Sequence, residues 1–238
     1  MYLHPLMANV PPTERAALIE CSELRSYRRS DNVLAAQEWT GSIYFVTNGL
    51  LRVVEHGSGP DGDATTDFIH RNDFFLGATL QEDRHRATQT LVAALPSSVY
   101  LIPIPAMRRL CEAHPDVAMA LFEMAARRIR MLRGQLQKVS SLSSEDLVAR
   151  VLHQLTQLAP ASTGGFDKRI TQAVIASYSG LSRELVNKIM RDLESRGLVW
   201  RDGQGIHVGA EFASTHIGGL QESVPDAGER QRALKKEG

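Results

Sequence analysis

Cysteine is almost missing from this sequence: Cys21 and Cys111 are the two in 238 residues. Thiols so far apart cannot supply a four-thiolate iron–sulfur or zinc site. The chain is also long enough to bury a core without disulfides, which suits a reducing, cytoplasmic setting. Charge of one sign is missing too, because 27 basic and 27 acidic side chains cancel to a formal net charge of zero with histidine neutral. That excludes a protein that coats nucleic acid by bulk positive charge, so any DNA contact must come from a local patch. No stretch holds eighteen consecutive apolar residues, and the opening MYLHPLMANVPPTERAAL lacks a charged start, an apolar run and a small-residue cleavage site. Membrane spanning and secretion are therefore not expected. No His-x-His pair occurs, which argues against a cupin-like metalloenzyme built on clustered histidines, and no enzymatic activity is expected. What is there, 43% hydrophobic and 23% charged, is the profile of a globular protein.

After a helical opening around 13–21, the stretch 27–104 breaks into short β-branched and aromatic runs separated by Gly and Pro. The expected strands are 42–47 (SIYFVT), 50–55 (LLRVVE), 65–69, 74–76, 88–94 and 99–104. Gly49 separates the first two, and GSGPDG at 57–62 is a turn-rich connection. Strands so spaced suggest a small antiparallel barrel or sandwich.

The composition then changes. From 115 to 139 the only glycine is Gly134, and Ala118, Phe122, Ala125, Ile129, Leu132, Leu136 and Val139 recur in alternating steps of four and three. Such a heptad seam packs against a matching helix, most simply a second copy of itself, although a buried helix of a monomer also shows a wide apolar face. Val117, Leu121, Met124 and Met131 form a neighbouring face suited to covering the barrel, and Arg127, Arg128, Arg130 and Arg133 read as a solvated flank. A further helix is expected over 144–158, followed by a Pro/Gly/Ser/Thr loop at 159–167. The residues after 212 have little to bury and are expected to be mobile.

The stretch 168–208 is the most informative. Thr171 can cap a short helix that turns Val174 and Ile175 inward, and Gly180 suits a left-handed turn. Ser182 can then cap a second helix, 182–196, ended by Gly197. Within it Val186, Ile189 and Leu193 form an inner face, whereas Arg183, Glu184, Asn187, Lys188 and Arg191 fall at i, i+1, i+4, i+5 and i+8 on the outer one. This is how a recognition helix meets a major groove. Arg183 can fork onto guanine, Glu184 can accept from cytosine N4, and Lys188 can reach guanine or a phosphate. From 168 to 200 six basic residues face three acidic ones, a local charge of +3 in a neutral chain. Residues 198–200 and 206–208, joined through Asp202 and Gly203, read as a two-stranded wing. A pure ligand-binding module would leave the SRELVNK stripe unexplained.

The string ITQAVIASYSGLSRELVNKIMRDLESRGLV, 170–199, resembles the helix-turn-helix of the CRP/FNR superfamily of bacterial transcription regulators, and ARRI at 126–129 resembles that family's long dimerisation helix. The resemblance covers about 33–208. It implies an α+β fold: an N-terminal antiparallel β-roll (a cyclic-nucleotide-binding-like jelly roll) over 1–114, a dimerisation helix over 115–143, a winged helix-turn-helix over 144–212 and a tail over 213–238. It assigns base reading to Arg183, Glu184 and Lys188, and phosphate contact to Gln172 and Ser182. Lys188 stands where cAMP-binding members carry arginine. Double-stranded DNA, RNA polymerase and a second copy of the chain are the implied partners.

Cyclic-AMP-binding members hold the nucleotide with Gly-Glu, Arg-Ser and Thr-Ser pairs. Here Gly77 is followed by Ala78, Arg86 and Thr88 are the trace of the phosphate site, and Leu132 and Arg133 stand where the polar helix pair would fall. A cyclic phosphate buried without its cation and hydrogen bonds is poorly compensated, so cAMP is not expected as effector. An iron–sulfur cluster is excluded by cysteine count. Haem, with His56, His70, His85 and His114 as formal axial ligands, a cyclic dinucleotide, a redox switch at Cys111, or no effector at all remain open. The expected mechanism is a homodimer joined along 118–139, with two recognition helices about one DNA turn apart on a pseudo-palindrome.

Overall fold

The computed structural model describes residues 4–75, 77, 79–139, 142–162, 164–203 and 205–209, with the side chains of 58 and 134–139 outside that description. The tail expected to be mobile, 213–238, lies outside the described residues. Helix α1 (Pro12–Glu20) leads into strands β1 (Glu23–Tyr27), β2 (Asn32–Leu34), β3 (Trp39–Thr40), β4 (Ser42–Asn48), β5 (Leu50–Gly59), β6 (Gly62–His70), β7 (Asp73–Phe75), β8 (His85–Arg86), β9 (Thr90–Ala93) and β10 (Ser97–Pro103). They make two four-stranded antiparallel sheets, ordered β1-β10-β4-β7 and β2-β9-β5-β6, with β3 and β8 paired separately.

The run SIYFVT lacks polar alternation because β4 is covered on both sides. Ile43 and Phe45 pack with Leu6, Ile104, Met107 and Leu121 on the helical side, while Tyr44 and Val46 pack with Leu51, Val53 and Ile69 between the sheets. A strand buried on two faces reads as a continuous apolar run. Edge strand β1 (ELRSY) exposes four of its five residues and so offers no periodicity to read. Pairing of β5 with β6 runs out to Gly59 opposite Gly62, so the expected GSGPDG loop is mostly strand and only Pro60 and Asp61 make the turn. The strand expected at 99–104 stops at Pro103. Ile104–Ala113 is instead helix α2, with Ile104, Met107 and Leu110 buried one turn apart and Pro105 in its first turn, where a missing N–H costs nothing.

Helix α3 (Pro115–Val139) lies along the roll. Val117 and Leu121 are buried and Met124 packs beside them, as the sequence implied. Met131 is not part of that packed cluster: it is 54% exposed and lines a cavity with Met124 and Phe68. Arg128 takes the next inward position at the four-three spacing. It is not part of a solvated flank: its guanidinium binds Asp67 through Nε, Asp73 at 3.2 Å through Nη1, and the Phe68 carbonyl at 2.7 Å through Nη2. Burial opposes the charge, but the two carboxylates outweigh it and raise the pKa. The run of arginines reads as solvated because the acids that draw Arg128 inward lie 55 and 61 residues away in the sequence.

The C-terminal part comprises α4 (Ser144–Leu158), β11 (Phe166–Asp167), α5 (Gln172–Ser179), α6 (Arg183–Ser195), β12 (Val199–Arg201) and β13 (Gly205–Val208). Ser143 begins α4 with a reciprocal capping box to Asp146. The 159–167 segment is not wholly loop, since β11 adds a third strand to the wing and Phe166 is fully buried there. Two residues are too few to show a period. The core of this part, Leu152, Ile175, Val186, Met190, Leu193 and Ile206, is continuous with Leu50, Phe68, Ala94 and Leu95 of the roll. Among the described residues no helix is long and apolar enough to cross a membrane.

Candidate nucleic-acid interface

The reading head is built from local capping. Thr171 Oγ1 accepts from the Val174 N–H at 3.4 Å to start α5, and Gly180 ends it at φ +73, a conformation costly for any residue with a Cβ. Ser182 Oγ accepts from Leu185 N–H at 3.3 Å to start α6, and Gly197 at φ +70 leads out of it. The inner face is Val186, Met190 and Leu193; Ile189, expected there, is only partly covered. Steps of four then three centre the buried stripe on Met190, rotating Ile189 to its edge.

That rotation fixes what faces outward. Arg183, Glu184, Lys188 and Arg191 are exposed, and their side chains make no hydrogen bond or ion pair with the described residues. Other cations of the module are engaged. Arg169 forks onto Asp167 at 2.6 Å, Arg196 bridges Glu145 and Asp192 at 2.9 Å each, and Arg201 meets Glu194 at 2.7 Å. Three cations without an ion pair, Arg183, Lys188 and Arg191, therefore stand together on α6. Asn187, expected in the same stripe, is half-buried and its Oδ1 has no partner. Gln172 begins α5 and Ser182 lies just before α6; both are partly exposed.

The wing pairs Val199 with Val208, Trp200 with His207 and Arg201 with Ile206. Asp202 holds its turn by accepting from Gly205 N–H at 2.6 Å and binding His207 Nε2 at 2.8 Å. Lys168 Nζ donates to the Gly203 carbonyl. Trp200 stacks on His207 with centroids 5.3 Å apart while remaining about half exposed. The sequence placed Trp200 in the wing but not on its outer face, because a strand's direction is set by its partner.

Five of the six residues of the expected effector pocket are described, and no hydrogen bond or ion pair joins any two of them among the described residues. A Cβ at Gly77 would lie 2.3 Å from the Phe75 ring, so that ring occupies the space beside the glycine. Arg86 is exposed with its guanidinium 5.6 Å above Trp39, and Thr88 is exposed. Leu132 lines a separate cavity of about 430 Å³ with Arg127, Arg128 and Phe68, and Arg133 is exposed. Ala78 lies outside the described residues. Of the histidines, His56 pairs with Asp63 and His114 with Glu14, each at 2.8 Å, and His70 Nδ1 lies 2.8 Å from the Arg71 carbonyl. His85 Nδ1 is buried without a partner. Burial pushes the Cys111 thiol up, away from the thiolate that redox sensing uses.

In the helical seam, Phe122 is 67% and Ile129 50% exposed. Ala118, Ala125 and Leu132 are partly covered, and the side chains of Leu136 and Val139 lie outside those described.

A capped helix pair with an outward basic stripe, closed by a wing and carried behind a β-roll and a long helix, defines a DNA-binding regulator. Residues 24–114 match the cyclic nucleotide-binding domain and residues 148–209 the Crp-like helix-turn-helix domain. The cAMP-activated global transcriptional regulator CRP of Pasteurella multocida is 27% identical over 203 residues, 84% of this chain and 96% of that protein. Its counterpart in Escherichia coli O157:H7 is 25% identical over 205 residues, 83% and 94%. The structure of FixK2 from Bradyrhizobium japonicum superposes with a TM-score of 0.69 at 21% identity, covering 86% of this chain and 99% of that one. The chain belongs to the CRP/FNR family of DNA-binding transcription regulators.

Proposed function

We propose that the chain works in the cytoplasm as a homodimer joined along α3, with two α6 helices set in successive major grooves of a pseudo-palindromic site, and that it regulates transcription through RNA polymerase. The observation that carries this reading is the unpaired outer face of α6. Arg183 and Glu184 read bases, Lys188 reads a base or a phosphate, Gln172, Ser182 and Arg191 hold the backbone, and Asn187 supports the stripe. Residues 1–114 serve as sensor, 115–143 as the dimer helix and 144–212 as the DNA-binding domain. The exposed Phe122 and Ile129 support the dimer, since large apolar side chains at heptad spacing are stable in water only when covered. Footprinting on genomic fragments tests the reading: a protected two-fold symmetric site is expected, and absence of specific binding at moderate salt sinks it.

The effector is other than cAMP, or there is none. This rests on the Phe75 ring, which fills the space beside Gly77, and on the Arg86 guanidinium, which lies over Trp39. The curated relatives quoted above are cAMP-activated, so calorimetry with cAMP is the direct check. Micromolar binding would overturn this part alone.

A further inference from the structure

The β5–β6 hairpin leaves the roll and rests on the reading head. Its strands touch α5 through Ser177, whose Oγ donates to the Asp63 carbonyl at 2.9 Å and lies 2.8 Å from Thr65 Oγ1. At the tip, the Asp61 Oδ2 accepts a 2.8 Å hydrogen bond from the backbone N–H of Arg183. That N–H is one of those at the start of α6 that have no backbone partner within the helix, whose first bond runs from Val186 N–H to the Ser182 carbonyl, and the positive end of the helix dipole lies there.

The helix has a cap of its own besides this acceptor, on a different donor. Ser182 already caps it by accepting from Leu185 N–H. Asp61 comes from 122 residues away, from another part of the fold, and sits on a backbone donor flanked by Ser182 and by the Arg183 side chain. A helix N-terminus of this kind accepts a phosphate by the same N–H groups and the same dipole. A carboxylate and a DNA phosphate cannot share one donor, and their like charges repel.

We propose that Asp61 is an inhibitory latch on the recognition helix: with the hairpin seated, the N-terminal donor of α6 is spent and the DNA-facing surface carries an extra negative charge. The proposal rests on α6 being the DNA-reading helix. Strong binding then requires the hairpin tip to lift. The tip is built for such movement. It is an exposed two-residue turn, Pro60 and Asp61, between Gly59 and Gly62, and an irregularity between His56 and Gly59 interrupts the pairing behind it. Gly57 and Gly62 hold φ values of +75 and +106 there.

The test compares wild type, Asp61→Ala, Asp61→Asn and Arg183→Ala as full chains, by fluorescence anisotropy on one duplex fragment bound in footprinting and on an unrelated duplex. Asp61→Ala should bind both about three- to tenfold more tightly, with Asp61→Asn, which keeps an acceptor but no charge, between it and wild type. Exchange of the Arg183 amide should be faster in Asp61→Ala. Affinity equal to or below wild type, at unchanged melting temperature, overturns the latch. Should Asp61→Ala lower the melting temperature, Ser177→Ala loosens the same hairpin from the other side and must also tighten binding; if it does not, the latch is overturned. Arg183→Ala separates the two ideas. If it loses specific binding while Asp61→Ala changes nothing, only the latch fails; if it binds like wild type, the reading of α6 fails and the latch with it.

Discussion

Arg183 and Glu184 are neighbours at the start of α6 with exposed, unpaired side chains, and their outward placement was plain in the sequence because capping and helical period are local. Replacing either with Ala should cost about 1–3 kcal/mol on the cognate site and relax preference at one base pair. Equal losses on every sequence, measured by competition with single-base variants, would show that they touch only phosphate. His4 was not legible at all. Its ring stands edge-on to Phe45 and Phe74, Nδ1 accepts from Leu6 N–H, and Nε2 reaches the Asn72 carbonyl. Burial, partly offset by that carbonyl, holds its pKa below the ordinary 6.5. The unfolded chain therefore takes up this proton more readily, so stability is intact above about pH 6.5 and declines as the pH falls towards the folded value. Melting curves of wild type and His4→Gln between about pH 7.5 and pH 5 should show a shallower acid loss in the variant.

Helix α3 shows how far a period can be read. The steps 117, 121, 124 placed the inner face correctly, and the seam through Phe122 and Ile129 is left uncovered by its own chain. Ile129→Glu should leave the fold intact and convert the proposed dimer to monomer in sedimentation; an unchanged mass counts against the seam. The same helix carries the clearest departure. Arg128, with 23% of its side chain exposed, clamps Asp67 and Asp73. Its removal by Arg128→Met would leave two carboxylates with little solvent and no cation, at a cost of about 2–3 kcal/mol in denaturant unfolding. A loss under about 0.5 kcal/mol would mean that the clamp is solvent-screened. From the sequence, ARRI reads as a charged run; the pairing depends on β6 and β7 arriving beneath it.

Across the whole molecule, the zero net charge is a sum over unlike parts. Arg169, Arg196 and Arg201 are neutralised within the reading head, leaving Arg183, Lys188 and Arg191 as its unpaired outward cations on α6. If the three cations of each protomer in a dimer neutralise phosphates, log K should fall with log salt at a slope of about −5. A slope near zero would leave the stripe without an electrostatic role. The sequence by itself determined the helix-turn-helix, its caps and its outward cations, since capping and helical period are local. Tertiary structure alone decided the rest. It turned Phe75 over Gly77 and Arg86 out onto Trp39, drew Arg128 inward, and set Asp61 on α6. Three of these four depend on strand direction and on partners 47 to 122 positions away, and neither a local period nor a composition encodes such distances.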